Sequence, residues 1–173
     1  QIGNGNDFAY SMFIQPDGKY VLAGESFTGM NSDTAIVRYL PDGSLDSSFN
    51  MNGKIIIPVT SGNDGAFSAV LQPNGKIVTG GFAMATGNRD FALTRINTNG
   101  TLDLSFNGSG KVLTDFNSFE DGGTNVKIQT DGKIVICGYS YDPNDGNSSN
   151  YAVARFIGDA IVENSKTPFD FDG

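Results

Sequence analysis

The sequence predicts an all-β fold made of three tandem, four-stranded antiparallel units, the last of them incomplete. The first observation is a repeated turn: Gln-Pro-Asp-Gly-Lys at residues 15–19 returns as Gln-Pro-Asn-Gly-Lys at 72–76 and Gln-Thr-Asp-Gly-Lys at 129–133, each time after 57 residues. The second is composition, because 23 glycines in 173 residues favour many tight turns between short strands. A fixed period of this size indicates one supersecondary unit copied in tandem.

The period divides the chain into repeats at residues 1–60, 61–117 and 118–160, followed by a C-terminal tail or linker at 161–173. The third repeat has no recognisable fourth strand, unless residues 160–162 supply a short one. Strands are predicted wherever apolar residues alternate or cluster between turn signals. In the first repeat the predicted strands are 8–14, 19–23, 34–40 and 54–59.

Glycine marks the same place in each repeat, just after the predicted second strand. These residues are Gly24, Gly81 and Gly138. A glycine there indicates a bulge or a close backbone approach between neighbouring units.

Alternation along the first strand predicts how each unit is buried. Tyr10, Met12 and Ile14 are expected to share one apolar face, and the matching positions hold Phe67, Ala69 and Leu71, then Thr124, Val126 and Ile128. On the opposite face the last repeat carries Asn125 and Lys127. That polar pair predicts a more solvated surface at the end of the array.

Arginine and aspartate also recur with the repeat. Arg38, Arg95 and Arg155 follow the apolar part of the predicted third strand, and Asp46 and Asp103 lie in the connection that comes next. We expect these carboxylates to stabilise turns by accepting backbone N–H bonds. They are also the expected partners of the recurring arginines.

Composition excludes several classes of function. The net charge is −8 and the 11 Lys and Arg residues are scattered, which disfavours binding to nucleic acid or to anionic membrane surfaces. The chain has no His, so it cannot form a Ser-His-Asp triad or a His-based zinc site. The single Cys137 is predicted to be a small buried strand residue. No stretch approaches the ~18 apolar residues that a membrane span requires.

No catalytic or metal-binding residue is assigned from the sequence. Calcium is the one cofactor considered, because residues 142–147 (Asp-Pro-Asn-Asp-Gly-Asn) and 61–65 offer hard oxygen ligands; an ordinary turn is the simpler interpretation of both. Glycoside hydrolysis would need two suitably placed carboxylates, and the glutamates are Glu25, Glu120 and Glu163. Since the recurring aspartates fall in turns, we expect no enzyme activity.

Variable loops are the alternative location for recognition. The segments between the second and third strands, residues 26–32, 83–89 and 139–147, differ most between repeats, and loops on a rigid frame often bind ligands. Tyr139, Tyr141 and Tyr151 could stack on a sugar. The alternative is that these loops are merely tolerated on the surface, and the ligand stays unknown.

The repeated blocks resemble a known family. The segments at 15–21, 33–39 and 42–49, which recur in the same order, are similar to the delta-sixty repeats of bacterial secreted and surface proteins, and the resemblance covers residues 7–157. It implies a β-propeller-like array in large extracellular proteins, without assigned catalytic residues. The third copy lacks the Leu-Asp-x-x-Phe block, and residues 168–173 resemble the opening of a calcium-binding integrin-type repeat.

The expected function is therefore a non-catalytic structural or adhesive module, located outside the cell or at its surface. The alternatives are a glycan- or protein-binding domain that uses the loops, and a filament subunit that assembles by strand exchange. Residues 1–3 align with 58–60, the end of a fourth strand. The expected partners are further repeats of a longer chain or other copies of this one, because three units leave their terminal faces uncovered.

Overall fold

The chain forms three separate antiparallel β-sheets. The computed structural model describes residues 1–85, 87–116, 118–144 and 148–157, and every regular element within them is a strand. The prediction of an all-β fold of propeller-like blades is therefore confirmed. No helix long and apolar enough to span a membrane occurs in this described part of the chain.

Each sheet is one blade, and its strands follow one another in sequence order. Tight turns make this meander possible; Gly18, for example, has φ of +82° in the first hairpin, where a side chain would be strained. The strands of blade 1 are β1 (Asp7–Ile14), β2 (Tyr20–Phe27), β3 (Ser32–Tyr39) and β4 (Lys54–Ile57).

Blades 2 and 3 repeat this pattern. The strands of blade 2 are β5 (Asp64–Leu71), β6 (Ile77–Met84), β7 (Arg89–Ile96) and β8 (Lys111–Thr114). Those of blade 3 are β9 (Asp121–Ile128), β10 (Ile134–Asp142) and β11 (Ser148–Phe156). The short fourth strand suggested at 160–162 lies outside the described residues.

The blades stack face to face, and the hydrophobic core lies between them. Between blades 1 and 2, Val21, Ile36 and Phe13 pack with Ala69 and Leu71. Between blades 2 and 3, the matching layer contains the following residues: Val70, Val78, Leu93, Val126 and Ile128. Each blade thus covers one apolar face of the next, as in a repeat array whose units contact only their neighbours.

A β-bulge in the first strand of every blade explains the recurring glycine. In blade 1 the register passes directly from Ala9 to Ser11, opposite Gly24. A methyl carbon built on Gly24 would lie 1.8 Å from the carbonyl oxygen of Phe8. The bulge alternative is confirmed, and the close approach is within one blade rather than between neighbouring units.

The bulge also breaks the predicted alternation, because Tyr10 is the extra, unpaired residue. Its hydroxyl donates to Glu25 at 2.9 Å, and its ring contacts Phe67 of blade 2 at a centroid distance of 5.3 Å. The prediction that Tyr10 shares a face with Met12 and Ile14 is therefore wrong. Nor is that face buried in blade 1, where Met12 is 63% and Ile14 60% exposed.

The recurring arginine and aspartate form the expected ion pairs. Arg38 Nε donates to Asp46 at 2.8 Å, and Arg95 Nε donates to Asp103 at 2.6 Å. Each guanidinium also lies over a phenylalanine ring of the same connection. Arg38 Nη1 reaches across to the carbonyl oxygen of Thr98 in blade 2 at 2.7 Å. The pair therefore fixes the connection on its own sheet and joins it to the next blade.

The last blade ends on a more polar surface, as predicted from Asn125 and Lys127, which are both exposed. The prediction that Cys137 is buried is wrong. Its position matches Gly80, which faces Val126 and Ile136 of the following blade. Cys137 lies on the corresponding face of blade 3, which no described residue of a further blade covers.

Candidate functional site

The first candidate surface is the outward face of blade 1, here called the open face of blade 1. It is formed by the cross-strand pairs Met12–Leu22 and Ile14–Tyr20. The matching residues of blade 2, Ala69 and Leu71, are packed against blade 1. Since the two surfaces are built from the same repeat, the open face of blade 1 has the composition of an interface between blades.

The outward face of blade 3 is the complementary candidate, here called the open face of blade 3. Val135 pairs with Lys127 on one side and with Arg155 on the other, and Cys137 pairs with Val153. Val153 is 40% exposed. An apolar centre with basic residues on both sides is therefore accessible at this end of the stack.

The first strands of the three blades lie side by side and line an open groove. Its volume is about 550 Å³. It is lined by the following residues: Tyr10, Ser11, Met12, Phe13, Ile14, Phe67, Ser68, Ala69, Val70, Leu71, Asn125 and Lys127. Met12 and Ile14 belong both to this lining and to the open face of blade 1, so the groove is continuous with that surface, and Lys127 is the cation in its lining.

The variable loops are shorter than predicted, because the strands on either side continue further. In blade 1 the strands leave only residues 28–31 between them, and in blade 2 only 85–88. Tyr139, Tyr141 and Tyr151 are consequently strand residues, and Tyr139 pairs directly with Tyr151. Tyr151 is 93% exposed, so the Tyr139–Tyr151 pair is the accessible aromatic surface among these three.

The two calcium loops suggested by the sequence have different structures. Of residues 142–147, positions 145–147 lie outside the described residues, and Asp142 Oδ1 accepts the Asn144 backbone N–H at 2.8 Å, which is an ordinary Asx turn. In 61–65, the Asp64 carboxylate accepts bonds from the Val59 amide and from the amide and hydroxyl of Thr60. Asp64 is thus used to hold the backbone.

Asp64 belongs to a recurring position that the sequence reasoning did not single out. Asp7, Asp64 and Asp121 each begin the first strand of a blade, at the same 57-residue spacing. Each accepts a backbone N–H at 2.7 Å from a residue five positions earlier: Ile2, Val59 and Phe116. The matching bonds of Ile2 and Val59 agree with the alignment of residues 1–3 with 58–60. The 57-residue spacing alone could have identified these three aspartates in the sequence.

The two described glutamates lie in different blades. Glu25 accepts the Tyr10 hydroxyl in blade 1, and Glu120 precedes Asp121 at the start of blade 3. Glu163 lies outside the described residues. The absence of catalytic activity remains a prediction.

The buried ion pairs should make stability fall in acid. Burial acts to raise the pKa of Asp46, but bonds from Ser48 and the cations of Lys19 and Arg38 outweigh it and lower that pKa to about 2. A carboxyl group whose pKa is depressed by folding contributes stability above its unfolded pKa and loses it as the pH falls toward the folded value. We expect Asp46 to contribute about 1–2 kcal/mol that is lost between about pH 4 and pH 2.

Urea unfolding of the wild type and of Asp46→Asn across this range measures the contribution, because the other acidic groups cancel in the difference. The difference in unfolding free energy should be largest near neutral pH and shrink toward pH 2. A difference that does not change with pH would contradict the assignment.

The comparisons with known proteins agree with this architecture. A family model described as "Domain of unknown function (DUF5122) beta-propeller" matches residues 15–49, 72–106 and 129–156. The three matched segments start 57 residues apart and together cover more than half of the chain. Comparison with curated proteins gives no match. The chain therefore belongs to this β-propeller domain family.

Proposed function

We propose that the chain is a non-catalytic structural or adhesive module of an extracellular or cell-surface protein. Its molecular activity is stacking: the open face of blade 1 receives a further blade of the same repeat. The observation that carries the proposal is the exposure of Met12 and Ile14, 63% and 60%. The matching residues of the two later blades lie in hydrophobic clusters between blades.

The chemistry of the occupant follows from the repeat itself. In the stack, Phe13 and Val21 of blade 1 pack against the face of blade 2 that matches the open face of blade 1. The open face of blade 1 therefore favours the corresponding side of another blade. The open face of blade 3, centred on Val135, Cys137 and Val153, is that surface in this chain. Contact between unlike faces is heterologous, so it produces a ring when the rotation closes and a fibre when it does not.

The extracellular location is supported by the resemblance to delta-sixty repeats, whose members occur in secreted and surface proteins. The non-catalytic role is supported by the contacts that the recurring carboxylates make within the fold. Asp46 and Asp103 are bound to arginine and serine, and Asp64 to backbone amides. These groups maintain turns and connections, as expected in a scaffold.

Light scattering of the purified chain tests the stacking proposal. We expect association that increases with concentration, and a dissociation constant at least tenfold weaker after Met12→Lys together with Ile14→Lys, because these changes bury charge at the interface. Met30→Lys is the matched control, since Met30 is 93% exposed in the β2–β3 loop. A wild-type chain that remains a stable monomer at high concentration would overturn the proposal.

Images of the associated particles distinguish the geometries. Propellers typically contain about 4–8 blades, so closed rings and open fibres are readily told apart by electron microscopy. Fibres would favour the filament alternative. Rings would favour a closed propeller made from several chains.

A second candidate function is glycan binding at the Tyr139–Tyr151 pair. It is favoured by the 93% exposure of Tyr151 beside another tyrosine on the same face of blade 3. Aromatic rings of this kind offer a flat apolar surface with a polar hydroxyl. A glycan panel probed with the wild type and with Tyr151→Ala tests it. Binding that the substitution does not change would place recognition elsewhere.

A further inference from the structure

Three aspartates meet at the junction between blades 2 and 3. Asp90 is the second residue of β7, Asp115 follows the end of β8, and Asp121 begins β9. One carboxylate oxygen from each lies within 4.8 Å of the other two. The cluster thus joins two strand ends of one blade to the first residue of the next.

Two of these carboxylates are buried. Asp90 is 6% exposed, and its pKa is shifted by burial and by neighbouring carboxylates, with no hydrogen bond among the causes. Asp121 is fully buried; its carboxylate is hydrogen-bonded by the Phe116 amide, at 2.7 Å to Oδ2, and by the Ser140 side chain, whereas Oδ1 has no donor among the described residues. A buried carboxylate oxygen without a donor carries a large desolvation cost. The cluster therefore contains one buried carboxylate oxygen without a donor, Oδ1 of Asp121, beside the buried carboxylate of Asp90.

The electrostatics of the cluster are one-sided. Burial, followed by the charges of Asp115, Asp121 and Glu120, raises the pKa of Asp90 to about 6. Burial also raises the pKa of Asp121; hydrogen bonds from Phe116 and Ser140 oppose this, and the charges of Asp115 and Glu120 add to it. The junction therefore concentrates acidic groups, and every charge that acts on Asp90 is negative. A cation would remove this repulsion.

At the junction between blades 1 and 2, groups of the protein itself donate hydrogen bonds to the matching carboxylates. Asp33 and Asp64 stand 57 residues before Asp90 and Asp121, and Pro58 stands in place of Asp115. Asp33 accepts a bond from Asn31 Nδ2 at 3.2 Å, and both oxygens of Asp64 are hydrogen-bonded. The charge of Lys111 also acts on Asp33. Among the described residues of these two junctions, the second alone combines a third carboxylate with a buried oxygen that lacks a donor.

We propose that Asp90, Asp115 and Asp121 bind a divalent cation of the calcium type at the interface between blades 2 and 3. Calcium takes 6–8 oxygen ligands at about 2.3–2.6 Å. Two oxygens bound to the same calcium ion can be at most about 5 Å apart, so the pairwise limit of 4.8 Å in this cluster is compatible with a shared ion. The carboxylates supply the negative charge that calcium requires, and water completes the shell. This location differs from residues 142–147 and 61–65, and the proposal does not depend on stacking or adhesion.

Calorimetric titration of the chelator-stripped chain with calcium chloride tests the proposal. We expect one site per chain, with a dissociation constant of about 10⁻⁴–10⁻³ M, the range of extracellular calcium modules. Because the ion binds the folded state, the melting temperature should rise with calcium concentration. No heat together with an unchanged melting temperature would overturn the proposal.

Substitutions at the cluster separate cation binding from a structural role. We expect Asp90→Asn and Asp115→Asn each to weaken calcium binding at least tenfold. Asp90→Asn should also melt at a higher temperature than the wild type in chelator, because it removes a repelled, buried charge, and yet show no increase with calcium. Asp115 is exposed, so its substitution remains informative if the change at Asp90 disturbs folding.

Two controls establish the location. Asp33→Asn changes the matching residue of the other junction, and Asp142→Asn changes the loop that the sequence suggested; both should retain the calcium heat. Loss of binding in either control, with retention in Asp115→Asn, would overturn the assignment to this cluster.

Discussion

Asp103→Ala should lower the free energy of unfolding by about 3–5 kcal/mol, the cost of breaking a buried ion pair by removing one partner. Arg95 is 1% exposed, and its Nε donates to Asp103 Oδ2 at 2.6 Å. Lys76 Nζ donates to the same oxygen at 2.8 Å, and Ser105 donates to the other oxygen through its amide and hydroxyl. The substitution therefore leaves two cations without this carboxylate and frees the connection after β7.

Urea unfolding followed by far-UV circular dichroism measures the effect; tryptophan fluorescence cannot be used, because the chain has no Trp. Asp131→Ala is the matched control. Asp131 also pairs with a lysine, Lys133, at 2.9 Å, but the two side chains are 51% and 33% exposed. Exposed pairs of this kind contribute about 0–1 kcal/mol. Equal losses in the two variants would contradict the role given to burial.

The double variant Arg95→Met with Asp103→Leu provides a further check. Replacing both partners of a buried pair with apolar residues is often neutral or stabilising. We therefore expect the double variant to be more stable than Asp103→Ala. A double variant that loses more would indicate that the ion pair itself, rather than its orphaned partner, dominates the stability.

Gly81→Ala is expected to cost about 3 kcal/mol or more, because no side-chain movement can relieve the clash it creates. A methyl carbon at Gly81 would lie 1.9 Å from the carbonyl oxygen of Gly65. Relief requires the backbone of β5 to move away at its bulge, where the inner strands of the blades lie side by side. Gly24 and Gly138 have the same geometry, at 1.8 and 1.9 Å, and should behave alike.

Gly80→Ala is the control, because Gly80 is the neighbouring residue of the same strand. A methyl carbon there would meet the side chains of Ile136 and Val126 at 3.0 Å. Side chains can adjust by a few tenths of an ångström, so we expect a loss of about 1–2 kcal/mol. If the two variants had comparable melting temperatures, the bulge would not be the reason why glycine is required at position 81.

Much of the fold could be predicted, because each local pattern occurs more than once at the same spacing. The hairpin turn at residues 15–19, the glycine at position 24 and the Arg38–Asp46 pair each recur at the same spacing, so a chance pattern is easily separated from a structural one. The family match, like the stacked sheets, supports the propeller repeat; it does not test the extracellular or adhesive role.

The errors arose where one repeat differs from another or where tertiary structure intervenes. Tyr10 lies on a different face from the predicted one because a bulge changes the alternation without changing the apolar pattern. Cys137 was expected to be buried because its local sequence is that of a core strand, and burial depends on whether a neighbouring blade covers it. The cluster at Asp90 could not be found from the period, since Pro58 replaces the third carboxylate in the preceding repeat.

The hydrogen bonds between neighbouring blades have a consequence for how the chain unfolds. Arg38 donates to the carbonyl oxygen of Thr98, and the amide of Asn50 donates to that of Asn99 at 2.7 Å. Detachment of blade 2 would strip blade 1 of acceptors for a charged donor and an amide, and loss of blade 1 would strip blade 2 of the Ser11 hydroxyl that accepts the Ala69 amide at 3.0 Å. Separation therefore leaves unsatisfied donors on both blades, and a protease acting on partly opened molecules should leave neither blade as a long-lived fragment.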